Sequence, residues 1–147
     1  MATSSLTARV RAIKLLSFGY DRLFKAAEGT SIQFKVQITH HIPPKTTRLE
    51  ILVAITYLKK NVKRPKPLLS AECLTVYQLS GVEAATEIDE KSGNSVVDIP
   101  EDIMQRMLTE SISHARALLA AQTVGTAFGG THIEVQTTFP IDNRVKL

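Results

Sequence analysis

From Ser31 to Thr39 the chain alternates residue by residue, Ile32, Phe34, Val36 and Ile38 against Gln33, Lys35, Gln37 and Thr39. That period of two predicts a strand with one buried face. Upstream, after a small, polar and frayed start (MATSS), order is expected from about Val10. Leu16, Phe18, Tyr20 and Phe24 fall on one parity between Ala12 and Phe24, with Ile13 and Leu15 on the other, which predicts a strand with a loosely defined face. Leu49 to Leu58 is apolar on both parities, as expected of a central strand covered on both sides. Leu68 to Leu79, with Cys73, Leu74, Val76 and Tyr77, reads as a fourth strand. Gly29-Thr30 and Pro43-Pro44 break the ladder between strands. Lys59, Lys60, Lys63, Arg64 and Lys66 with Pro65 and Pro67 make a stiff basic loop before the fourth.

The period then changes. Ser80 to Val97 is acidic and polar, long for a simple connection, and is expected to be mobile or a lid. Asp98 and Glu101 have the spacing of a capping box, with Pro100 tolerated in the first turn. From there Ile103, Met104, Met107, Leu108, Ile112, Ala115, Leu118, Leu119 and Gln122 recur at three and four, predicting one long helix with a single apolar stripe. Gly125 should end it, and Ile133 to Phe139 should run extended. Four strands followed by one long helix is an α+β pattern with a four-stranded antiparallel sheet.

At 147 residues the chain fits a single domain, residues 1–147, with a core that needs no metal or disulfide. Its one cysteine, Cys73, forms no internal bridge, and with no secretory leader or apolar run of ~20 residues a soluble protein of the reducing cytoplasm is expected. The net charge of +4 conceals a division that matters more: residues 1–70 carry 13 Lys/Arg against 3 Asp/Glu, and residues 71–147 carry 5 against 11. If the fold keeps these halves apart, the basic one attracts acidic partners or nucleic acid.

Candidate chemistry is sparse. His114 and Arg116 are two residues apart on a helix and point in different directions, so they do not make an acid/base pair, although Glu110 is within one turn of His114. His40 and His41 are adjacent on an extended segment and face opposite ways, which, with only His132 and Cys73 left besides the helix residue His114, argues against a metal site. Cys73 reads as a small core residue. The KKNVKRPK loop suits phosphate, but only Tyr57 among potential stacking aromatics is near it in sequence. Gly125, Gly129 and Gly130 follow a helix instead of opening one, the wrong end of the dipole for an anion. What remains is surplus apolar strand surface, Phe18, Tyr20, Phe24 and Tyr77, beyond what one helix covers.

The stretch VDIPEDIMQRMLTESISHARALLAAQTVGTAF, placed after LEILVAITYL and AECLTVYQLSG, resembles the helix-and-break region of SecB-like export chaperones. The residues that carry the likeness are Ser113, His114, Ala115 and Arg116, then Gly125, Thr126 and Phe128. The resemblance implies a homotetramer, a dimer of dimers, with long helices packed between sheets and apolar grooves for unfolded segments. It implies no cofactor and no catalysis. Ala115, Arg116, Leu118, Leu119 and Gln122 would then form the oligomer interface, with Ala117, Ala120 and Ala121 small enough for close approach, and Phe18, Tyr20, Phe24 and Tyr77 would contact clients. Two departures stand out: the first half is strongly basic where family members are typically acidic, so docking to the SecA motor is not expected, and no second helix is expected between Pro140 and Leu147. The function implied is an ATP-independent holdase, for export or for antitoxin protection. The alternatives are a basic nucleic-acid-binding module and a small thioesterase-like enzyme, although in the latter the helix precedes most strands.

Overall fold

A computed structural model of the chain describes residues 6–24, 32–60, 63–129 and 142–147. Four long strands, β1 (Thr7–Tyr20), β2 (Ile32–His41), β3 (Arg48–Lys59) and β4 (Pro67–Ser80), form an antiparallel sheet of order β1-β4-β3-β2. A short helix α1 (Val82–Ala85) and strands β5 (Thr86–Ile88) and β6 (Ser95–Asp98) lead to the long helix α2 (Glu101–Thr123). A last strand, β7 (Arg144–Lys146), joins β5 and β6 in a second sheet of order β5-β6-β7. The predicted α+β class and the four-strands-then-helix order are what the chain adopts.

Alternation decides which face of the large sheet is the core. On β3, Leu49, Ile51, Val53, Ile55 and Tyr57 are all at most 1% exposed, and on β4 Leu69, Ala71, Cys73, Thr75, Tyr77 and Leu79 share that face. Helix α2 lays Met104, Met107, Leu108, Ile112, Ala115 and Leu119 on it. Each such side chain contributes on the order of 1.5–3 kcal/mol by leaving water. The expectation that β3 is covered on both faces is corrected: Leu52, Ala54 and Leu58 on its other face are only half-buried. β3 is nonetheless an interior strand, between β4 and β2.

β1 begins and ends earlier than its sequence suggested, and its register explains the blurred parity. Two bulges, at Arg11 and Leu16, each insert one unpaired residue. Val10 opposes Tyr77, Ile13 opposes Thr75, Leu15 opposes Cys73 and Phe18 opposes Ala71, so the inward parity is even, then odd, then even again. The bulges bend this edge strand, which disfavours edge-to-edge pairing with another chain.

The acidic segment from Ser80 to Val97 is not a lid. It builds α1, β5 and β6, and between the two strands Asp89 organises the turn, accepting from the Ser92 hydroxyl at 2.9 Å and the Gly93 amide at 2.8 Å. The capping box is also corrected. Asp98 belongs to β6, opposite Arg144, while Pro100 is the N-cap of α2 and makes no side-chain cap. Glu101 and Asp102 favour that terminus through the helix dipole instead. Residues 133–139, expected to be extended, lie outside the described residues, as do Gly29, Thr30 and Gly130.

Candidate functional site

Helix α2 stops where its sequence says it should. Gly125 takes φ +78°, a left-handed conformation that favours glycine. Thr126 then folds back on the helix end, its amide and hydroxyl donating to the Thr123 carbonyl at 3.0 and 2.7 Å. This reversal delivers Phe128, fully buried, to the end of the sheet where β1 and β3 finish and β2 and β4 start.

Phe128 is the hub of an aromatic cluster. Phe24 stacks on it at 5.1 Å, Tyr57 lies tilted at 5.8 Å and Tyr20 meets it edge-on at 6.1 Å. Phe18 extends the cluster from Tyr20 at 5.7 Å, and Phe34 from Tyr57 at 4.7 Å. Phe128 and Tyr57 are buried, whereas Tyr20 and Phe34 are each 37% exposed and Phe18 and Phe24 half-buried. Two aliphatic side chains at the same end stand almost free: Leu23 is 88% and Val124 78% exposed. Further along the edge, Val10, Ile13 and Leu16 of β1 are 40–53% exposed.

The sequence-predicted client residues therefore divide. Phe18, Tyr20 and Phe24 come together around Phe128. Tyr77 does not: it is fully buried under α2 at the other end, where its hydroxyl lies 3.0 Å from the Met107 carbonyl, 3.1 Å from Glu110 and 3.4 Å from the Ser111 hydroxyl. Burial pushes its phenol well above the usual range, with the neighbouring Glu110 charge adding to the effect and the Ser111 hydrogen bond opposing it. Tyr77 is a core anchor, and the sequence misplaced it because its strand parity does not tell the helix-covered stretch from the uncovered one. Phe128 and Phe34 complete the cluster without having been named as contacts; the spacing of Phe128 just past a glycine break was the available signal.

The interface residues divide too. Ala115 and Leu119 are covered by this chain's own sheet, at 0% and 3% exposure, so they offer no surface to a second copy. Arg116 and Leu118 are half-buried and Gln122 is exposed. The remaining candidates have structural uses. His114 Nδ1 lies 3.1 Å from the Thr75 hydroxyl, His40 Nε2 lies 3.1 Å from the Asp142 carbonyl, and His41 lies 3.5 Å from Glu50. Burial pushes the Cys73 thiol up to about 11, which leaves it a poor nucleophile at neutral pH. Among the described residues no three His, Cys, Asp or Glu side chains gather as metal ligands, and no helix is long and apolar enough to cross a membrane.

No protein-family model matches the sequence, and no curated protein matches it. The fold does have a solved counterpart. A SecB-like chaperone of Mycobacterium tuberculosis, solved with a ChAD peptide from the HigA1 antitoxin, superposes with a TM-score of 0.58 at 10% identity, covering 88% of this chain and 89% of that one. A protein of unknown function from Streptococcus agalactiae aligns with a TM-score of 0.41 at 10% identity, over 89% of this chain and 99% of that one. The fold is thus SecB-like.

Proposed function

We propose that this chain is an ATP-independent holdase that binds non-native polypeptide segments and catalyses no reaction. The observation that carries the reading is the apolar surface left open beside α2 and at its C-terminal end: Val10 and Ile13 on β1, Tyr20 and Phe34 at the aromatic cluster, and Leu23 and Val124 beyond it. Exposed apolar side chains flanking a covering helix on both sheet edges and at its end are the kind of surface that binds apolar chains. The SecB-like fold is consistent with this, and the antitoxin peptide on the mycobacterial chaperone favours a polypeptide ligand over a small molecule. Export and antitoxin protection both fit a reducing cytoplasm, where the single Cys73 stays a thiol. In this reading the chain self-associates, as a dimer of dimers, through the surface of α2 that its own sheet leaves open, including Arg116, Leu118 and Gln122.

The test is aggregation of a chemically denatured client, followed by light scattering without nucleotide. The protein at a few-fold molar excess should suppress scattering, and Leu23→Ser with Val124→Ser should weaken suppression while the circular dichroism stays unchanged. Unimpaired aggregation in the presence of the wild type would sink the holdase reading. Sedimentation velocity of the wild type and of Leu118→Arg tests assembly separately.

A further inference from the structure

The fold gathers part of the chain's basic half at one end, although Arg9, Arg11, Lys45 and Arg48 lie toward the other. Arg22, Lys59, Lys60, Lys63, Arg64 and Lys66 all lie around the aromatic cluster, at or just past the ends of β1 and β3 and just before β4, and all are exposed. In the described parts of these turns the one carboxylate is Asp21, whose oxygen accepts from the Leu23 amide at 2.9 Å. None of the six cations is in an ion pair among the described residues. Most of the described carboxylates are at the far end, around β5, β6 and the start of α2, and there Arg144 holds Glu87 at 3.0 Å and Asp89 at 3.9 Å. One pole thus partly neutralises itself and the other does not, which leaves a positive field over the aromatic end.

We infer that the segments taken at this pole are acidic as well as apolar, with Asp or Glu interspersed among large apolar side chains, in preference to basic ones. This rests on the holdase reading and specifies its client. Opposite charges would meet these six exposed cations while the apolar side chains cover Leu23, Val124, Tyr20 and Phe34. Single-stranded nucleic acid would share the charge but wants open ring faces on which to stack. Here Phe24 lies nearly parallel on Phe128, with an interplanar angle of 15°, Phe34 packs edge-on to Tyr57, and the most exposed apolar side chains are aliphatic. The surface therefore suits a polypeptide.

The experiment is fluorescence anisotropy on the full chain with three labelled peptides that share one Leu/Phe-rich core and differ in flanking Glu, Gln or Lys residues. At low salt the Glu-flanked peptide should bind roughly tenfold or more tighter than the Lys-flanked one, the sum of several ordinary surface pairs. The ratio should fall towards one as salt rises to ~0.5 M, where the Debye length is only a few ångströms. Lys59→Gln, Lys60→Gln, Lys63→Gln and Arg64→Gln together should lower the ratio at low salt, with folding checked by circular dichroism. Equal binding of all three peptides, or a preference for the Lys-flanked one, overturns the inference and leaves the holdase reading standing. Displacement of the Glu-flanked peptide by an equimolar RNA oligomer of similar length also overturns it, assigning the pole to nucleic acid. If no peptide binds and aggregation is not suppressed, the holdase reading itself falls.

Discussion

Replacing Phe128 by Ala probes the hub of the candidate site directly. The ring is fully buried and touches Phe24, Tyr57 and Tyr20 at centroid distances of 5.1, 5.8 and 6.1 Å. Loss of its transfer energy amounts to roughly 1.5–3 kcal/mol. Lost ring contacts and the cavity left behind raise the expected cost to about 3–5 kcal/mol, a large share of the ~5–15 kcal/mol by which a domain is held. Urea denaturation followed by circular dichroism measures it through the midpoint, with the slope unchanged if the native state stays compact. Phe24→Ala, at a half-buried partner, should cost less, and the double variant should fall short of additivity by about 0.5–1.5 kcal/mol, the coupling of one aromatic pair. A Phe128→Ala cost under about 1 kcal/mol with a cooperative transition would mean that the chain after Gly125 does not dock on the sheet, and the cluster as described would be wrong.

Tyr77→Phe should destabilise by about 1 kcal/mol by removing the hydroxyl that meets Met107, Glu110 and Ser111, yet leave aggregation suppression intact, because Tyr77 is out of a client's reach. The raised Tyr77 phenol and Cys73 thiol both favour the neutral form in the folded state, so their contributions are complete below the unfolded values and are lost as pH climbs. For Cys73 that window runs from 9.0 to about 11, and denaturation of Cys73→Ala across it should show a shallower loss of stability than the wild type. Gly125→Ala should cost about 1 kcal/mol from the left-handed φ alone, since nothing lies within 4 Å of the added methyl; a neutral result in thermal unfolding would contradict that backbone conformation.

What could be read from sequence followed the range of each interaction. β2 was legible because its alternation is local and unbroken, β3 because it is a short continuous apolar run, and α2 because its stripe persists over 23 residues and ends at Gly125. β1 was legible only in part, because each bulge resets the parity that a period-two reading depends on. β5 and β6 were missed altogether: strands of 3 and 4 residues have no periodicity of their own, and β6 is completed by β7, which lies nearly fifty residues downstream. In the site, Phe18, Tyr20 and Phe24 were identified by chemistry, but Phe128 and Phe34 required the fold, since ring contacts across four elements leave no local trace. Tyr57 was the aromatic visible beside the basic loop; the structure brings the others to the same end.

The exposed apolar surface follows from a mismatch of widths. Four strands spaced about 4.8 Å apart place the outer strand axes about 14 Å from each other, and side chains widen the face further, while one helix with its side chains is about 10–12 Å across. A single helix therefore covers two strands well and a third partly. α2 sits over β4 and β3 and reaches β1, so the inward residues of β3 and β4 are nearly all buried. Those of β1 and β2 grade into exposure, with Val10 and Ile13 on one edge and Phe34 on the other. A chain that needed only to fold would place polar residues at those edges, at little cost to a core already closed. This one keeps them apolar over two bulges that re-aim β1 toward the same face each time, and a purely structural account leaves that arrangement without a purpose. The client surface proposed above would account for it.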